Sequence, residues 1–516
     1  MESSRSKNIG RNVVFGALLK IYHLFVPFVL RTIIIYVLGM EYAGLNSLFT
    51  SVLSVLNLAE LGVGTAMVYS MYKPIVDGDN ETVNALMRLY KIYYRIIGLL
   101  ILVAGLTLVP FIDHLINGDI PGDLNIYLLY FISLSSTVIS YWLFAYKNCL
   151  ITAHQRSDIT SKITIAVSTI TYGMQIAFLF LTKNYYHFLI ISVIMTAITN
   201  IVIGIVASKM YPQFHESGTL PKETKDDINK RIRDLFTAKV GAVVIDSVDT
   251  IVISAFLGLR LLALYQNYFY IFTAVYGFIS MVMVSSTASV GNSIITASKE
   301  KNFLDLKKFT LLMVWIGSIC CCCFAGLYQP FIELWVGKEN LLDYGIVLLL
   351  VAYFIVKVIN ALLNLYKDAA GMWHEDRFRP LVTAISNLTL NIILVNFIGL
   401  YGIILSTLIS MLCVGMPWLY YNIFSVYFHC NPLKYILKTI LYIGLVVISV
   451  AVCILCVNWI TLNSLIITIV IRFLICAIVP NIIFFVCLLR DKDFKALISM
   501  SDRLTKRKIK FLKKLY

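Results

Sequence analysis

The chain has 516 residues, of which 59% are hydrophobic and 14% charged, and its mean hydropathy is +0.84. These values exclude an ordinary soluble globular protein, in which about a quarter of the residues are charged. The formal net charge of +15 does not require a nucleic-acid partner, because basic loops and a basic tail facing anionic lipid account for it.

Apolar segments of about 20 residues or more, long enough to cross a bilayer, follow one another along the chain and predict about 14 transmembrane helices. Their approximate ranges are 13–38, 45–72, 92–112, 125–147, 160–182, 186–208, 236–258, 264–292, 309–332, 344–366, 380–398, 402–425, 437–459 and 464–489. The first is predicted to be a retained span, because its apolar run is about twice as long as a signal-peptide core. Most of the 11 cysteines lie inside the segments and are predicted to be packing residues.

The distribution of Lys and Arg predicts the orientation, since these residues collect in cytoplasmic loops. With the N-terminus inside, the outer loops hold only Lys183, Arg260 and Lys338, and all other basic loops and the tail are inside. Both termini are therefore predicted to be cytoplasmic. The tail "RLTKRKIKFLKKLY" is predicted to be an amphipathic surface helix.

Two short internal matches predict a duplication. "YKDAAGMWHEDR" from Tyr366 matches "YKNCLITAHQR" from Tyr146 at an offset of 220, and "LGLRLLAL" from Leu257 matches "LGMEYAGL" from Leu38 at an offset of 219. The predicted organisation is an N-terminal six-helix bundle (1–210), a cytoplasmic linker (211–235), a C-terminal six-helix bundle (236–428), two additional helices (429–489) and a basic cytoplasmic tail (490–516). Six helices is an even number, so the two pseudo-symmetric bundles enter the membrane in the same orientation. The segment 366–377 then becomes a cytoplasmic elbow with solvated charges, and not an active site.

Ionisable residues inside spans are costly and are expected to line a cleft or to have partners. They are Lys20, His23, Arg31, Glu60, Arg95, Lys239, Asp246, Asp249, Lys357 and Arg472. Lys20 and Lys239 stand at matching depth in the first helix of each half, where two cations would suit a diphosphate; the alternative is snorkelling to the inner headgroups. Arg31, which follows Pro27, is expected to line the cleft. Arg95 and Lys357 are further candidates for substrate binding, although either side chain can also reach an interface.

Three carboxylates are candidates for ion coupling. Asp246 and Asp249 share a helix face, where they would bind H⁺ or Na⁺ or pair with a cation. Glu60, in "LAELGVGTA", is either a proton site or a partner for Arg31. We found no catalytic constellation, and "WHED" lacks metal-ligand spacing. We therefore expect neither an enzyme, nor a metal, nor a cofactor other than a coupling ion.

Several motifs carry a resemblance to a known family. "LGMEYAGLNSLF", "LNLAELGVGTAMVYSMYKPI" and "NLTLNIILVNFIGLYGIILSTLIS" resemble the polysaccharide biosynthesis transporters, the flippases of O-antigen and capsule type in the multidrug/oligosaccharidyl-lipid/polysaccharide exporter superfamily. The resemblance implies an ion-driven flippase of the bacterial cytoplasmic membrane that moves a polyprenyl-diphosphate-linked oligosaccharide. It implies polysaccharide polymerase and glycosyltransferases as further partners, and a cleft lined by helices 1, 2, 7 and 8.

Alternatives remain at the sequence level. The two additional helices resemble the extra pair of lipid II flippases, so a lipid II-type substrate stays open. A cation-coupled drug or metabolite antiporter has the same fold, but a cleft rich in Lys and Arg disfavours cationic substrates. A membrane enzyme acting on lipid-linked sugars is disfavoured because the outside links are short.

Overall fold

The protein is entirely helical in the parts that its computed structural model describes, which are residues 2–118, 120–460 and 464–504. The helices are α1 Glu2–Val37, α2 Met40–Leu56, α3 Val63–Asp77, α4 Asn80–Leu108, α5 Ile126–Trp142, α6 Asn148–Ala153, α7 Ser157–Thr182, α8 Tyr185–Met210, α9 Lys222–Leu257, α10 Leu259–Thr296, α11 Lys299–Val336, α12 Tyr344–Ala369, α13 Trp373–Asp376, α14 Arg379–Ile398, α15 Leu400–Ser410, α16 Met416–Tyr420, α17 Leu433–Asn458, α18 Leu465–Leu488 and α19 Lys492–Leu504. A π-helical stretch, Met411–Gly415, joins α15 to α16, and a second one, Tyr421–Tyr427, extends α16.

The predicted polytopic membrane architecture is confirmed. Within the described residues, 12 helices are long and apolar enough to cross a membrane, and the number is 13 if α5 and the 145–153 segment, which meet at a bend of 45°, are one broken span and not a re-entrant loop. The helix over the predicted seventh span, α9, is not counted among the 12, and several of its side chains lie outside the described part of the chain. The seventh span therefore stays a prediction.

The chain forms two compact units, Met1–Ala263 and Leu264–Tyr516. The first unit includes α9 because α9 packs on α2 and α3. Glycines permit close packing in this unit: a Cβ on Gly44 would lie 2.2 Å from the Leu259 carbonyl oxygen, and a Cβ on Gly62 2.7 Å from the Leu235 Cβ. The predicted boundaries of the repeat concern sequence duplication, and they stay a prediction.

The second unit is built around α11, which packs against α12, α17, α18 and α19. Buried aromatic rings, among them Phe272, Phe324 and Phe354, fill the space between α10, α11 and α12. Cys322, Cys453 and Cys476 are fully buried on α11, α17 and α18, as packing residues would be.

The C-terminal helix α19 folds back onto this unit. Phe494, Leu497 and Ile498 are buried, and α19 packs against α11. Lys438 on α17 forms ion pairs with Asp491, at 3.0 Å, and with Asp493. The predicted amphipathic surface helix begins only at Arg503, so most of it lies outside the described residues.

The elbow at 366–377 corrects one expectation. Asp376 is 3% exposed; it accepts a hydrogen bond from Arg379 Nε at 2.6 Å and forms an ion pair with Lys367 Nζ at 3.2 Å. The predicted solvation is therefore wrong for Lys367 and Asp376, because mutual pairing lets these charges be buried together. It is right for His374, Glu375 and Arg377, which are exposed.

Candidate functional site

The second membrane span is broken beside a carboxylate. Helix α2 ends at Leu56, a 3₁₀ turn covers Asn57–Glu60, and α3 begins at Val63. Gly62 has a φ of 92°, a left-handed conformation that glycine adopts without steric cost. Glu60 is therefore held at a helix break inside the membrane, the type of position at which transporters bind coupling ions.

Tyrosine hydroxyls surround the Glu60 carboxylate. The Tyr94 hydroxyl donates to Oε1 at 2.9 Å, and the Tyr141 hydroxyl lies 3.4 Å from Oε2 and 3.2 Å from the Asn57 side-chain oxygen. The Tyr90 hydroxyl donates to that of Tyr94 at 2.7 Å. All three tyrosines are buried, whereas Glu60 is half-buried. Because a tyrosine hydroxyl both donates and accepts, these groups form a continuous hydrogen-bonded chain that ends on a titratable group.

Arg31 lies in the same unit and connects three segments. From α1, its Nη1 donates to Ser47 Oγ on α2 at 3.1 Å, and its Nη2 donates to the Ala263 carbonyl oxygen at 3.1 Å. The side chain is half-buried. The guanidinium is thus fixed in place by the protein, as a positioned cation would be.

The structure describes the side chains of three of the other predicted residues of this unit. Lys20 on α1 and Arg95 on α4 are exposed, and Asp249 on α9 is buried. The side chains of Lys239 and Asp246 lie outside the described residues. It therefore stays a prediction that Lys20 and Lys239 line the cleft at matching depth, and that Asp246 and Asp249 bind a coupling ion or pair with a cation.

Lys357, in the second unit, points into a group of aromatic rings. Its ammonium nitrogen lies 5.1 Å from the ring centre of Tyr276, 5.2 Å from Tyr353, 5.8 Å from Phe272 and 6.0 Å from Phe269. It also donates to the Tyr353 hydroxyl at 3.1 Å. The rings attract the cation through their quadrupoles. Lys357 is therefore half-buried among the rings of α10 and α12, and does not extend along a free helix surface.

Sequence reasoning missed these aromatic residues, although a signal was present. Phe269, Phe272 and Tyr276 are spaced by three and four, so they share a face of α10, and Tyr353 precedes Lys357 by one turn. The same spacing joins Tyr90 and Tyr94 on α4. Tyr141 comes from α5 and has no local signal.

A second charged cluster is centred on Glu216, in the loop between α8 and α9, at the predicted cytoplasmic end of the first unit. Glu216 accepts a hydrogen bond from the Tyr146 hydroxyl at 2.6 Å, and its carboxylate lies 3.5 Å from Lys147 Nζ and 3.9 Å from Lys91 Nζ. Burial raises the pKa of Glu216, but the Tyr146 hydroxyl and the two lysines outweigh burial, so the pKa lies below its usual value. The cluster connects α4 to the segment 146–156, which matches the elbow 366–377 in sequence and is called the first elbow below.

Comparison with known proteins was made by sequence and by structure. No protein-family model matches the sequence, and no curated protein matches it either. The structure is similar to the lipid II flippase MurJ in an inward closed conformation, with a TM-score of 0.68 and 15% identity over 92% of this chain and 99% of that chain. It is also similar to an inward-facing multidrug resistance MATE family transporter of the MOP superfamily (TM-score 0.57, 14% identity, 78% and 96%) and to a Vibrio cholerae MATE transporter (0.54, 14%, 81% and 95%).

These similarities fix the architecture. At identities of 14% and 15%, similarity in structure establishes the fold and leaves the activity to be argued from the site. The resemblance that the sequence motifs indicated is confirmed for the fold, which this chain shares with the MurJ and MATE transporter structures.

Proposed function

We propose that this protein is a flippase that moves a polyprenyl-diphosphate-linked oligosaccharide across the bacterial cytoplasmic membrane for surface polysaccharide biosynthesis. It would work by ion-coupled alternating access, with both termini in the cytoplasm. Surface polysaccharide polymerase and glycosyltransferases would be its partners. The resemblance of the sequence motifs quoted above supports a lipid-linked oligosaccharide as the cargo, and the charged residues of the site support ion coupling.

The observation that carries the proposal is the extent of the structural match. The alignment with the lipid II flippase covers 92% of this chain, and the part that it leaves out is shorter than α17 and α18 taken together, which have 26 and 24 residues. The alignment with the lipid II flippase therefore includes at least part of α17 and α18. The MATE alignments cover only 78% and 81% of the chain. This favours a lipid-linked cargo over a drug or metabolite.

The intramembrane cations agree with an anionic cargo. Arg31 donates hydrogen bonds to Ser47 Oγ and to the Ala263 carbonyl oxygen. Lys357 is surrounded by aromatic rings. A lysine binds phosphate with a mobile point charge, whereas an arginine binds it with a planar guanidinium whose N–H donors have a fixed geometry. We assign substrate binding to Arg31 and Lys357, with Lys20, Lys239 and Arg95 as further contributors.

Glu60 is our assignment for coupling, with H⁺ in preference to Na⁺. The Glu60 oxygens face the hydroxyls of Tyr94 and Tyr141, and hydroxyls that both donate and accept can pass a proton along a chain. Asp246 and Asp249 would be a second coupling site or ion-pair partners.

The test is translocation in proteoliposomes. A fluorescent polyprenyl-diphosphate oligosaccharide is placed in one leaflet, and its arrival in the other is measured with a membrane-impermeant quencher under an imposed pH gradient. We expect wild type to flip the lipid and Lys357→Met to slow it by about tenfold or more. Lys434→Met, which removes an exposed lysine of α17, serves as the control and should leave the rate unchanged.

Coupling and cargo are separated by two further arms. Glu60→Gln should flip the lipid without responding to the pH gradient, while Glu223→Gln, an exposed carboxylate of α9, should respond like wild type. Transport of a cationic dye with no movement of the lipid would refute the proposal and favour a drug antiporter. Movement of lipid II alone would favour the lipid II-type alternative.

A further inference from the structure

Arg472 is the one charged residue of α18, a helix that is otherwise apolar from Leu465 to Leu488. Arginine in a span costs roughly 2.5–3.5 kcal/mol at the helix centre on insertion scales, so a partner or a function is expected for it. Among the described residues, Arg472 forms no ion pair. Its single hydrogen bond goes from Nη1 to the Gly326 carbonyl oxygen at 3.5 Å, the weak limit for such a bond.

The guanidinium is also not directed towards the membrane surface. Arg472 lies two helical turns after the start of α18, whereas Gly326 lies almost three turns before the end of α11 and is therefore deeper in the span. Cys476, one turn after Arg472, is fully buried and packs against Gly326. Simple snorkelling would carry the side chain the other way, towards the headgroups.

One N–H donor of Arg472 has no hydrogen-bond partner, which indicates a binding site for an acceptor. The Nε atom of Arg472 is buried and has no hydrogen-bond partner, and an orphaned donor of this kind points to a missing acceptor. With Nη1 on Gly326, the edge formed by Nε and Nη2 makes no hydrogen bond to the described residues. That edge carries two parallel N–H groups, the pattern that binds phosphate in a bidentate manner.

The flanking residues show from which side a ligand would arrive. Phe473 and Leu474 are each about half exposed, on a helix that crosses the membrane, so Arg472 sits where the protein surface meets lipid. It is itself half-buried. A phosphate carried by a lipid would approach this edge from the bilayer and would have to displace the side chains that bury Nε; local thinning of the leaflet shortens its distance from the headgroups.

We infer that Arg472, at the contact of α11 and α18, binds the phosphate of a membrane lipid in the outer half of the bilayer. The ligand is a phosphoryl group attached to a hydrocarbon chain. It is supplied either by a bilayer phospholipid or by a polyprenyl diphosphate. The inference depends on the orientation predicted from the basic loops, and it holds whether or not the proposed transport function is correct.

The test measures lipid binding to the purified full chain in detergent by native mass spectrometry. Phosphatidylglycerol and farnesyl diphosphate are titrated separately, so that the two arms distinguish the two sources. We expect Arg472→Met to weaken binding of at least one probe about tenfold or more, the loss expected for one charge-assisted bidentate pair. Arg490→Met is the matched control: it removes an exposed arginine just past the other end of α18 and should bind like wild type.

Arg472→Lys keeps the test valid if Arg472→Met does not fold. Lysine retains the charge but lacks the two parallel donors, so we expect binding clearly weaker than in wild type. Wild-type affinity of Arg472→Met for both probes would overturn the inference, as would wild-type affinity of Arg472→Lys where the methionine variant does not fold. An equal loss of binding in Arg490→Met would also overturn it, because a general charge effect would then explain the result.

Discussion

The substitution Asp376→Asn tests whether the buried elbow contributes to stability. Asp376 is 3% exposed, and the side chains of its partners Lys367 and Arg379 are 9% and 8% exposed. Lys367 keeps a second ion pair with Asp368 at 2.6 Å, so Arg379 is the buried charge that the variant leaves uncompensated. Breaking a buried pair by removing one partner costs about 3–5 kcal/mol, so we expect a loss in the free energy of unfolding of that order.

The assay is unfolding of the purified protein in detergent, followed by tryptophan fluorescence, with two comparison variants. Glu375→Gln makes the same change of charge at the neighbouring position, but Glu375 is exposed, so the effect should stay within about 0.5 kcal/mol. Asp158→Asn disrupts a similar set of ion pairs at the start of α7, directly after the first elbow. Its partners Arg156 and Lys162 are 27% and 44% exposed, and water can solvate them, so the loss should be smaller than for Asp376→Asn.

The reasoning would be refuted if Asp376→Asn were as stable as Glu375→Gln. A loss for Asp158→Asn that equals or exceeds that for Asp376→Asn would refute the part of the reasoning that depends on burial of the cations. A variant that combines Asp376→Asn with Arg379→Gln should recover part of the stability, because it removes the uncompensated charge.

Two further predictions concern the helix break and the first charged cluster. Gly62→Ala should lower both stability and lipid flipping, because left-handed backbone costs about 1–2 kcal/mol without glycine and the new Cβ would lie 2.7 Å from the Leu235 Cβ. Gly78→Ala, with a φ of 73° and open space around it, is the control and should show the strain alone; equal flipping by both variants would contradict a role for the close approach of α9. Glu216→Gln should lower the unfolding temperature at neutral pH, since a carboxylate with a lowered pKa stabilises the fold above its unfolded pKa of about 4.3. That stabilisation is lost as the pH falls through the lowered pKa of the folded state, so the difference between wild type and variant should shrink in melting curves recorded below about pH 4, and a difference that is constant with pH would contradict it.

Hydropathy was sufficient to predict most of the fold. Each apolar segment contains enough residues to cross a bilayer, and in lipid a chain must satisfy its own backbone hydrogen bonds, so a helix is the expected conformation. The exceptions are places where one span is interrupted. The break at 57–62 and the bend near Phe144, a residue with a positive φ, depend on packing between distant helices, which hydropathy does not report.

The candidate site was predictable in its charges but not in its partners. The cost of an ion in lipid selects Arg31, Glu60 and Lys357 from sequence alone. The aromatic residues around them cannot be predicted in this way, because tyrosine and phenylalanine are common throughout the chain. Only the tertiary structure shows which rings contact a charged side chain. The burial of Asp376 was missed for the same reason: an Asp and an Arg three residues apart look like solvated loop charges until Lys367 joins them.

The two elbows share a physical arrangement that the sequence match does not reveal. In the first, one oxygen of Asp158 accepts from Arg156 Nε at 3.0 Å and the other pairs with Lys162 Nζ at 3.1 Å. In the second, one oxygen of Asp376 accepts from Arg379 Nε at 2.6 Å and the other pairs with Lys367 Nζ at 3.2 Å. When the two elbow sequences are superposed at their common offset, these two aspartates do not align, and neither do the arginines or the lysines that pair with them. Each elbow therefore has a buried aspartate that pairs with one arginine and one lysine, but the three residues occupy different sequence positions in the two elbows. Because a carboxylate that is removed from water requires compensation, a duplicated elbow that keeps its packing will need these charges even when their positions in the sequence change. Similar ion pairs at positions that do not align give no test of the duplication, which stays a prediction.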